Sequence, residues 1–318
     1  MERGYFYQRE HTVYNGLVSG NIKLLILSDL HYSNIIGEKR MGWILRKIEE
    51  INPDYIILCG DSIDSVDSYD ELFWNFIARI NDITRCFITF GSHDCWKYNY
   101  NNNGNAINGD FYYADFWDEI NELENISVLN DDSYHDDRLF VLGYTQSKKY
   151  YYPQKVENKT IFHQIIEDEK ENSVGLENLL TKIAIPHDVP SILSVHAPTY
   201  YFTPHVKKLT EPFTLVISGH THNALVFPVL NEIWNSTRGI ITPDRQWLQE
   251  NTRNTFRYKD DKVIINPPLT MFSKCTGSKA KLNGLYPMSF TIVNFTSDIK
   301  YDMDKIYTKS RYSTSRDY

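Results

Sequence analysis

Three apolar runs near the start of the chain each end in polar residues. They are KLLILSDLH at 23–31, DYIILCGDSID at 54–64 and CFITFGSHD at 86–94. Uninterrupted apolar runs of this kind are typical of strands buried on both faces, as in parallel sheets. The runs recur at intervals of roughly 30 residues, which is the length of a strand, a helix and two short loops. The pattern therefore predicts successive βαβ units and an α/β fold.

The segments between these runs have the apolar spacing of helices. Residues 38–51 and 69–80 carry apolar side chains at helical intervals, and Pro53 follows the first segment. The same patterns predict further helices at 111–123 and 175–185, and further strands at 138–145, 191–198, 213–222, 262–272 and 287–295.

Length and apolar content allow one large domain or two modest ones. The chain has 318 residues, of which 42% are apolar, and this is ample for a substantial core. We expect a single domain over 1–300 and a C-terminal tail over 301–318, frayed where apolar periodicity is lacking at 308–318. Residues 99–110 are rich in asparagine and glycine and predict a surface loop. No element is predicted for 146–172.

Charge and cysteine usage argue against several classes of protein. The 41 acidic residues outnumber the 33 basic ones, which disfavours coating of nucleic acid or of an anionic membrane through bulk charge. No apolar run approaches the ~18 residues of a membrane span, and the N-terminal segment lacks the apolar core of a secretory signal. The four cysteines form neither a CxxC pair nor a disulfide pattern. We therefore expect reduced thiols and a cytoplasmic protein.

Five apolar runs carry acidic, hydroxyl or imidazole side chains at their carboxyl ends, the edge at which ligands bind in open α/β sheets. These side chains are Asp29 and His31; Asp61 and Asp64; Ser92, His93 and Asp94; His196; and His220 and His222. One such residue alone would more often be structural, as a hydrogen-bonded core histidine or a helix cap. Crowding all of them at one edge would be unfavourable unless metal cations compensate the charge.

The donor types narrow the choice of metal. Six of the residues are strong candidate ligands: Asp29, His31, Asp61, His196, His220 and His222. They supply nitrogen and oxygen but no thiolate, which disfavours a structural zinc site and suits manganese, iron or zinc, with magnesium as a further option. Six ligands are too many for one open catalytic site, whereas two ions sharing Asp61 would use them all. Paired ions ~3.5–4 Å apart activate a water for attack at phosphorus.

In order and spacing these motifs resemble the calcineurin-like metallophosphoesterase family. The family pattern is D-x-H, GD-x-x-D, GNH[DE], a lone H and GH-x-H. The corresponding residues here are DLH at 29–31, GDSID at 60–64, GSHD at 91–94, His196 in SVHAP, and GHTH at 219–222. The resemblance covers about residues 22–225 and is greater to the small bacterial phosphodiesterase branch than to the Ser/Thr protein phosphatases. It implies a four-layer αββα sandwich, in which helices flank two mixed β-sheets.

The resemblance also implies roles for the motif residues. The implied metal ligands are Asp29, His31 and His222 for a first ion, His196 and His220 for a second, and Asp61 as the bridge. His93 would be the catalytic histidine that protonates the leaving oxygen, and Asp64 would orient it. The implied activity is hydrolysis of a phosphomonoester or phosphodiester through a water activated by two metal ions. The substrate would be a phosphorylated small molecule or a diester.

One residue departs from the family pattern. Ser92 stands where the family has an asparagine, whose amide oxygen ligates the second metal. A serine hydroxyl is shorter and a poorer ligand, and a water could fill the gap. We therefore expect the second metal to bind more weakly, or to arrive with substrate. The alternative function is a non-catalytic scaffold that keeps the fold and its metal binding.

Six residues outside the motifs have side chains that could serve a phosphate or substrate site: Arg238, Arg245, Tyr200, Tyr201, His205 and Cys95. An arginine could bind a phosphate and a tyrosine could stack on a substrate ring, but surface and packing roles are simpler explanations. A nuclease is a third hypothesis. The net negative charge counts against it, and we expect no stable binding of nucleic acid.

Overall fold

The computed structural model describes ten stretches of the chain: 4–33, 38–65, 68–100, 106–111, 113–147, 173–198, 204–222, 262–270, 287–298 and 306–315. The strands in these stretches are β1 (Gly4–Tyr14), β2 (Asn21–Leu27), β3 (Tyr55–Cys59), β4 (Arg85–Thr89), β5 (Trp96–Tyr100), β6 (Ala106–Phe111), β7 (Ile126–Leu129), β8 (Asp132–His135), β9 (Phe140–Tyr144), β10 (Ser191–Val195), β11 (Leu215–Ser218), β12 (Val263–Ile265), β13 (Met288–Thr296) and β14 (Ile306–Ser315).

The helices in the same stretches are α1 (Glu38–Ile51), α2 (Glu71–Ile83), α3 (Ser92–Cys95), α4 (Asp115–Asn121), α5 (173–180) and α6 (Pro204–Thr210). The start of α2 illustrates how the sequence sets a helix boundary. The Asp70 carboxylate accepts hydrogen bonds from the backbone amides of Leu72 and Phe73, so it caps the first turn. Within the described ranges, no helix is both long enough and apolar enough to cross a bilayer.

Two mixed sheets form the centre of the molecule. The larger has the strand order β14-β1-β13-β2-β3-β4-β7, and the smaller has the order β12-β11-β10-β9-β8. In the larger sheet β2, β3, β4 and β7 are parallel neighbours, and in the smaller sheet β9 to β12 are parallel neighbours. The βαβ units predicted from the apolar runs are therefore confirmed.

Alternating side chains of the sheets divide the core into three layers. In β3, Ile57 and Cys59 face the smaller sheet, whereas Ile56 and Leu58 lie in the core beneath α1, α2 and α4. A third cluster packs the outer face of the smaller sheet, including Leu193, against α5 and α6. Both faces of the central strands are thus buried, which explains their continuous apolar runs. The predicted four-layer αββα sandwich is confirmed.

Two strands at the sequence ends were not predicted. Strand β14 pairs antiparallel with β1, and β1 also pairs in parallel with β13. The expected fraying over 308–318 is therefore wrong for residues up to Ser315. Backbone pairing with β1 holds this strand, and a hydrogen-bonded ladder needs no apolar periodicity. The single domain over 1–300 stays a prediction.

The predicted loop over 99–110 also differs from the structure. Strands β5 and β6 form an antiparallel hairpin, so much of the asparagine- and glycine-rich segment lies in strands. Turn-forming residues are compatible with a hairpin whose connection is short, and residues 101–105 lie outside the described ranges. Most of the segment 146–172, for which no element was predicted, likewise lies outside them.

Candidate metal centre

The carboxyl ends of five strands from both sheets meet at one edge of the sandwich. Strands β2, β3 and β4 come from the larger sheet, and β10 and β11 come from the smaller one. The nine side chains predicted for the site all fall in described residues: Asp29, His31, Asp61, Asp64, Ser92, His93, His196, His220 and His222. All are buried except His93, which is partly exposed.

A left-handed backbone is concentrated at these strand ends. Five of the seven described non-glycine residues with positive φ belong to the site, with φ from 45° to 66°: Asp29, His31, Asp61, His220 and His222. This conformation costs roughly 1–2 kcal/mol for a residue with a side chain. Its clustering at one place is typical of functional sites, where the surrounding structure holds the strain.

Two motif glycines leave room for the candidate ligands. A Cβ atom added to Gly60 would collide with the His196 ring, and one added to Gly91 would collide with the Asp61 carboxylate. Gly60 also has φ of +77°, which a residue with a side chain rarely adopts. The glycines of GDSID and GSHD are therefore required by close approach of the backbone to these side chains.

The first group of candidate ligands is Asp29, His31 and His222, whose ligand atoms all lie within 4.8 Å of one another. The His222 Nε2 atom is 3.1 Å from His31 Nε2 and 3.3 Å from Asp29 Oδ1. Two atoms bound to one ion at ~2.1 Å lie about 3.0–3.4 Å apart at angles between a right angle and a tetrahedral one. The spacing of this group therefore fits ligands of a common ion.

The second group is Asp61, His196 and His220. The His196 Nδ1 atom lies 2.8 Å from the Cys59 carbonyl oxygen, and because a carbonyl only accepts, Nδ1 carries the hydrogen. The other ring nitrogen, Nε2, lies 3.1 Å from Asp61 Oδ2. A lone pair on Nε2 would repel a carboxylate oxygen at this distance unless a proton or a metal cation lay between them. Such a carbonyl contact on the opposite nitrogen is typical of metal-binding histidines.

The Asp61 carboxylate faces both groups. Its Oδ2 atom lies 3.1 Å from His196 Nε2 and 3.7 Å from His31 Nε2. Its Oδ1 atom accepts a hydrogen bond from the His93 backbone amide at 2.9 Å and lies 3.4 Å from the Ser92 hydroxyl. One oxygen thus fixes the orientation of the side chain while the other faces the two ligand groups.

The Ser92 side chain lies inside the site, where its hydroxyl contacts the Asp61 carboxylate. Its hydroxyl donates to Asp61 Oδ1, and the residue is buried. The structure therefore brings Ser92 next to the second group without the reach that an asparagine amide would have.

His93 is oriented by the backbone of Asp64 rather than by its carboxylate. The His93 Nδ1 atom lies 2.6 Å from the Asp64 carbonyl oxygen, so Nδ1 carries the hydrogen. The Asp64 Oδ1 atom is 3.8 Å from His93 Nδ1 and also 3.8 Å from His31 Nδ1. The Asp64 carboxylate therefore lies between a candidate metal ligand and the candidate catalytic histidine.

Burial and mutual charge set the protonation of the site. Burial alone would raise the pKa of Asp61, but the neighbouring His196 and His93 rings outweigh it and hold that pKa well below the usual range. Burial would lower the pKa of His196, but the Asp61 carboxylate outweighs it and raises this pKa to about 10. Burial, followed by the charge of His93, holds the pKa of His31 well below normal. A neutral His31 is in the form that binds metal.

Asp94 lies in the GSHD motif, but its motif position alone predicted no role for it. Its buried carboxylate accepts hydrogen bonds from the backbone amides of Ser62, Ile63 and Gly91, at 2.8–3.2 Å. Burial, reinforced by the charge of Asp61, raises the pKa of Asp94 to about 7. Asp94 therefore ties the GDSID and GSHD turns together. Its place within the motif was the available signal.

The candidates outside the motifs receive little support. His205 is exposed on α6, where its Nε2 atom lies 3.9 Å from a Glu177 carboxylate oxygen. Cys95 is buried, and burial raises the pKa of its thiol well above normal, which disfavours a nucleophilic role. The remaining four candidates lie outside the described residues: Arg238, Arg245, Tyr200 and Tyr201.

Comparison with known proteins identifies the segment that contains all of these motifs. The family model described as calcineurin-like phosphoesterase matches residues 22–224. The match begins just inside β2 and ends two residues after His222.

Relatives with this type of domain are distant in sequence. A transmembrane protein with a metallophosphoesterase domain from Danio rerio is 22% identical over 65% of this chain and 42% of its own length. The chain thus spans less than half the length of that relative. An uncharacterized metallophosphoesterase from Aquifex aeolicus is 23% identical over 69% of this chain and 71% of its own length. Among solved structures, a dimetal phosphatase from Danio rerio is 9% identical, with a TM-score of 0.38, over 79% of this chain and 88% of its own.

Proposed function

Because the chain belongs to the calcineurin-like phosphoesterase family, we propose that it is a metal-dependent hydrolase that cleaves a phosphomonoester or a phosphodiester. The observation that carries the proposal is the position of Asp61 between two groups of nitrogen and oxygen donors. Its Oδ2 atom lies within 4 Å of a histidine Nε2 atom from each group.

In this proposal two divalent ions, manganese, iron, zinc or magnesium, bind at the strand ends. The proposed ligands are Asp29, His31 and His222 for the first ion, His196, His220 and Ser92 for the second, and Asp61 for both. When bound, such ions neutralise charge on the phosphoryl group and activate the attacking water. Their charge is also needed for binding, since the buried carboxylates of Asp29, Asp61 and Asp64 would otherwise repel an anionic phosphoester.

His93 is the proposed proton donor to the leaving oxygen. The Asp64 carbonyl holds the hydrogen on its Nδ1 atom, so Nε2 is the nitrogen that exchanges a proton with the substrate. The partial exposure of His93 contrasts with the burial of the proposed ligands and lets a substrate reach the ring. General acid catalysis by a positioned histidine typically contributes 10²–10⁴-fold to the rate.

Hydrogen bonds from and beside the backbone restrict movement of Asp61, the proposed bridging ligand. The His93 amide holds Asp61 Oδ1, and the Asp94 carboxylate holds the amides of Ser62 and Ile63 just beyond it. A carboxylate fixed in this way loses little further freedom when it binds a cation, which is the advantage of a preorganised site.

A second candidate function is a non-catalytic metal-binding scaffold on the same fold, and Ser92 is the observation that favours it. With a hydroxyl in place of the family amide at this position, the second ion has a poorer ligand from the chain. Such a protein would bind metal without turning over a phosphoester. A cytoplasmic location, inferred from the cysteine usage, is part of either proposal.

Metal analysis combined with hydrolysis assays tests both functions. The purified protein should contain metal and should hydrolyse an aryl phosphate or its diester. Metal without hydrolysis of these esters or of a panel of phosphorylated metabolites would favour the scaffold. Faster cleavage of single-stranded DNA than of small esters would instead favour a nuclease. Absence of both metal binding and hydrolysis would contradict the proposal.

A further inference from the structure

A buried asparagine lies where the two sheets meet below the candidate metal centre. Asn266 directly follows β12, is fully buried, and was not singled out from the sequence. It occupies the same kind of position as the proposed ligands, since it is a polar residue at the carboxyl end of an apolar run. Its contacts, however, are with the residues that precede the ligands.

Asn266 connects a strand end of each sheet. Its backbone amide donates to the Ser218 carbonyl oxygen at 2.7 Å, and Ser218 is the last residue of β11 in the smaller sheet. Its side-chain Nδ2 atom donates to Ser28 Oγ at 2.9 Å, and Ser28 follows β2 of the larger sheet. Nδ2 also donates to the Pro267 carbonyl oxygen at 2.9 Å. Because a carbonyl cannot donate, this contact fixes which side of the amide carries the nitrogen.

The residues after Asn266 continue the connection to the same strand end. The Leu269 amide donates to the Ser28 carbonyl oxygen, and the Thr270 amide donates to the Asp29 carbonyl oxygen, both at 3.0 Å. The Arg40 guanidinium of α1 donates to the Leu269 carbonyl oxygen. Segment 266–270 therefore makes hydrogen bonds to β11, to the Ser28–Asp29 turn and to α1.

Two of the three contacts of Asn266 lie within two residues of candidate ligands in the sequence. Ser28 precedes Asp29, and Ser218 precedes the GHTH motif by one residue. On the other side of this junction the His220 amide donates to Asp29 Oδ1 at 3.0 Å. The Asp29 turn and the GHTH turn are thus connected twice. One connection is the hydrogen bond from the His220 amide to Asp29, and the other runs through Asn266.

We propose that Asn266 is a positioning residue that sets the distance between the Asp29 turn and the GHTH turn. The inference rests on the proposed metal centre. A neutral amide suits the role because it donates a hydrogen bond without adding a further charge beside Asp29. Loss of the amide should loosen the first ligand group, in which Asp29 from one sheet must meet His222 from the other.

Three variants test this role. Asn266→Ala removes the donor, Ser28→Ala removes its acceptor, and the double variant removes both. The matched control is Asn294→Ala. Asn294 lies on β13, beside the end of β2 that is opposite to the site, and its Nδ2 atom donates a hydrogen bond to Glu10 Oε1 on β1. The substitution deletes that bond. Manganese affinity is measured by calorimetric titration, thermal unfolding is followed with and without the ion, and kcat and KM are measured on an aryl phosphate ester.

We expect manganese to bind in two steps, with the tighter step at the first ligand group. Asn266→Ala and Ser28→Ala should each weaken that tighter step about tenfold or more, as is usual for residues that support ligands. The double variant should lose no more than the larger single loss, because both changes break one bond. The control should lower the unfolding temperature while keeping wild-type affinity. If Asn266→Ala does not fold, Ser28→Ala, which removes a single hydroxyl, decides the question.

The outcomes separate this inference from the proposed function. A wild-type protein that binds no manganese, zinc or iron would overturn the metal centre itself. A wild type that binds metal, with folded variants that bind it equally well, would overturn the role of Asn266 alone. Equal losses of affinity in Asn294→Ala and Asn266→Ala would also overturn it, because they would reflect general destabilisation.

Discussion

The Nε2 atoms of His31 and His222 lie 3.1 Å apart, with both rings buried. The two residues come from different sheets and from the first and last motifs of the family segment. At this distance two nitrogens must share a proton or face a cation, since two lone pairs would repel. Burial holds the pKa of His31 well below normal, so a protonated, charged ring is disfavoured there. Two neutral rings can pair here through an N–H···N hydrogen bond, and a bound metal ion would instead take a lone pair from each ring.

Metal removal should therefore affect both stability and activity. A chelator is expected to abolish hydrolysis, and manganese or a similar ion should restore it. A ligand present at 100 times its dissociation constant stabilises the folded state by ~2.7 kcal/mol, so added metal should raise the unfolding temperature. Scanning calorimetry and an aryl phosphate assay measure the two effects. Full activity in protein shown to be free of metal would rule out the phosphoesterase hypothesis.

Substitution of Asp61 should be tolerated worst. Asp61→Asn keeps the shape of the side chain but removes the charge that faces His31 and His196, so both ions should be lost together with most of the turnover. Metal content by mass spectrometry and kcat measure the effect. Asp82→Asn is a suitable control, since Asp82 lies on the exposed surface and pairs with Arg79. Two retained ions and a near wild-type rate would show that Asp61 is not the bridge.

Substitution of His93 should separate chemistry from metal binding. His93→Ala is expected to keep both ions and to slow hydrolysis by about 10²–10⁴-fold, the usual contribution of a general acid. His205→Ala, at an exposed histidine on α6, should have the wild-type rate. Loss of an ion from the His93 variant would instead make this histidine a ligand.

Substitution of Ser92 should alter one site selectively. The first group retains its full set of proposed ligands, whereas the second has a hydroxyl in place of the family amide. A metal titration of the wild type should therefore show two separable steps, the weaker one at the second group. Ser92→Asn should tighten that step and bring the two closer together. Two equal and tight steps in the wild type would show that another ligand already replaces the amide.

A buried histidine remote in sequence from the motifs should make the fold sensitive to acid. Burial, followed by the charge of Arg9, lowers the pKa of His11 on β1 to about 3, whereas its ordinary value is 6.5. Between these two values the unfolded state binds a proton that the folded state does not. Stability should therefore fall as the pH drops from about 6.5 towards 3, by up to ~1.4 kcal/mol per pH unit.

His11→Gln should flatten this part of the stability profile, measured by urea unfolding at a series of pH values. His205→Gln, the same substitution at an exposed histidine on α6, provides the control. An unchanged slope in the His11 variant would mean that the ring is not kept neutral by folding.

The elements and site residues that were predictable share one property: each has a side-chain signature in the sequence. Strands β2, β3 and β4 are apolar on both faces because helices cover one face and the second sheet covers the other, and this produces continuous apolar runs. Polar residues end these runs at the edge where ligands bind, so the positions of Asp29, Asp61 and His196 could be inferred. Their assignment to individual metal ions stays a prediction.

The features that were not predictable depend on the backbone. Strand β14 is held by a ladder to β1, and its sequence lacks apolar periodicity. The contact of Asp64 with His93 that could not be foreseen is the one made by its backbone carbonyl oxygen. The hydrogen bond from the Asn266 backbone amide to the Ser218 carbonyl oxygen likewise depends on which strand ends become neighbours in space. Every residue carries the same backbone groups, so the sequence does not mark which of them will be used.

The place of β1 in the larger sheet has a consequence for the order of folding. This strand lies between β13 and β14, so its partners come from the opposite end of the sequence. Closing so long a loop carries a large entropic cost, whereas β2, β3 and β4 join through local βαβ connections. During synthesis β1 is therefore expected to stay unpaired while β2, β3 and β4, the strands that carry Asp29, Asp61 and His93 at their ends, assemble. We expect the slowest kinetic phase of refolding to be the docking of β1, and substitutions in its ladder to change that phase most.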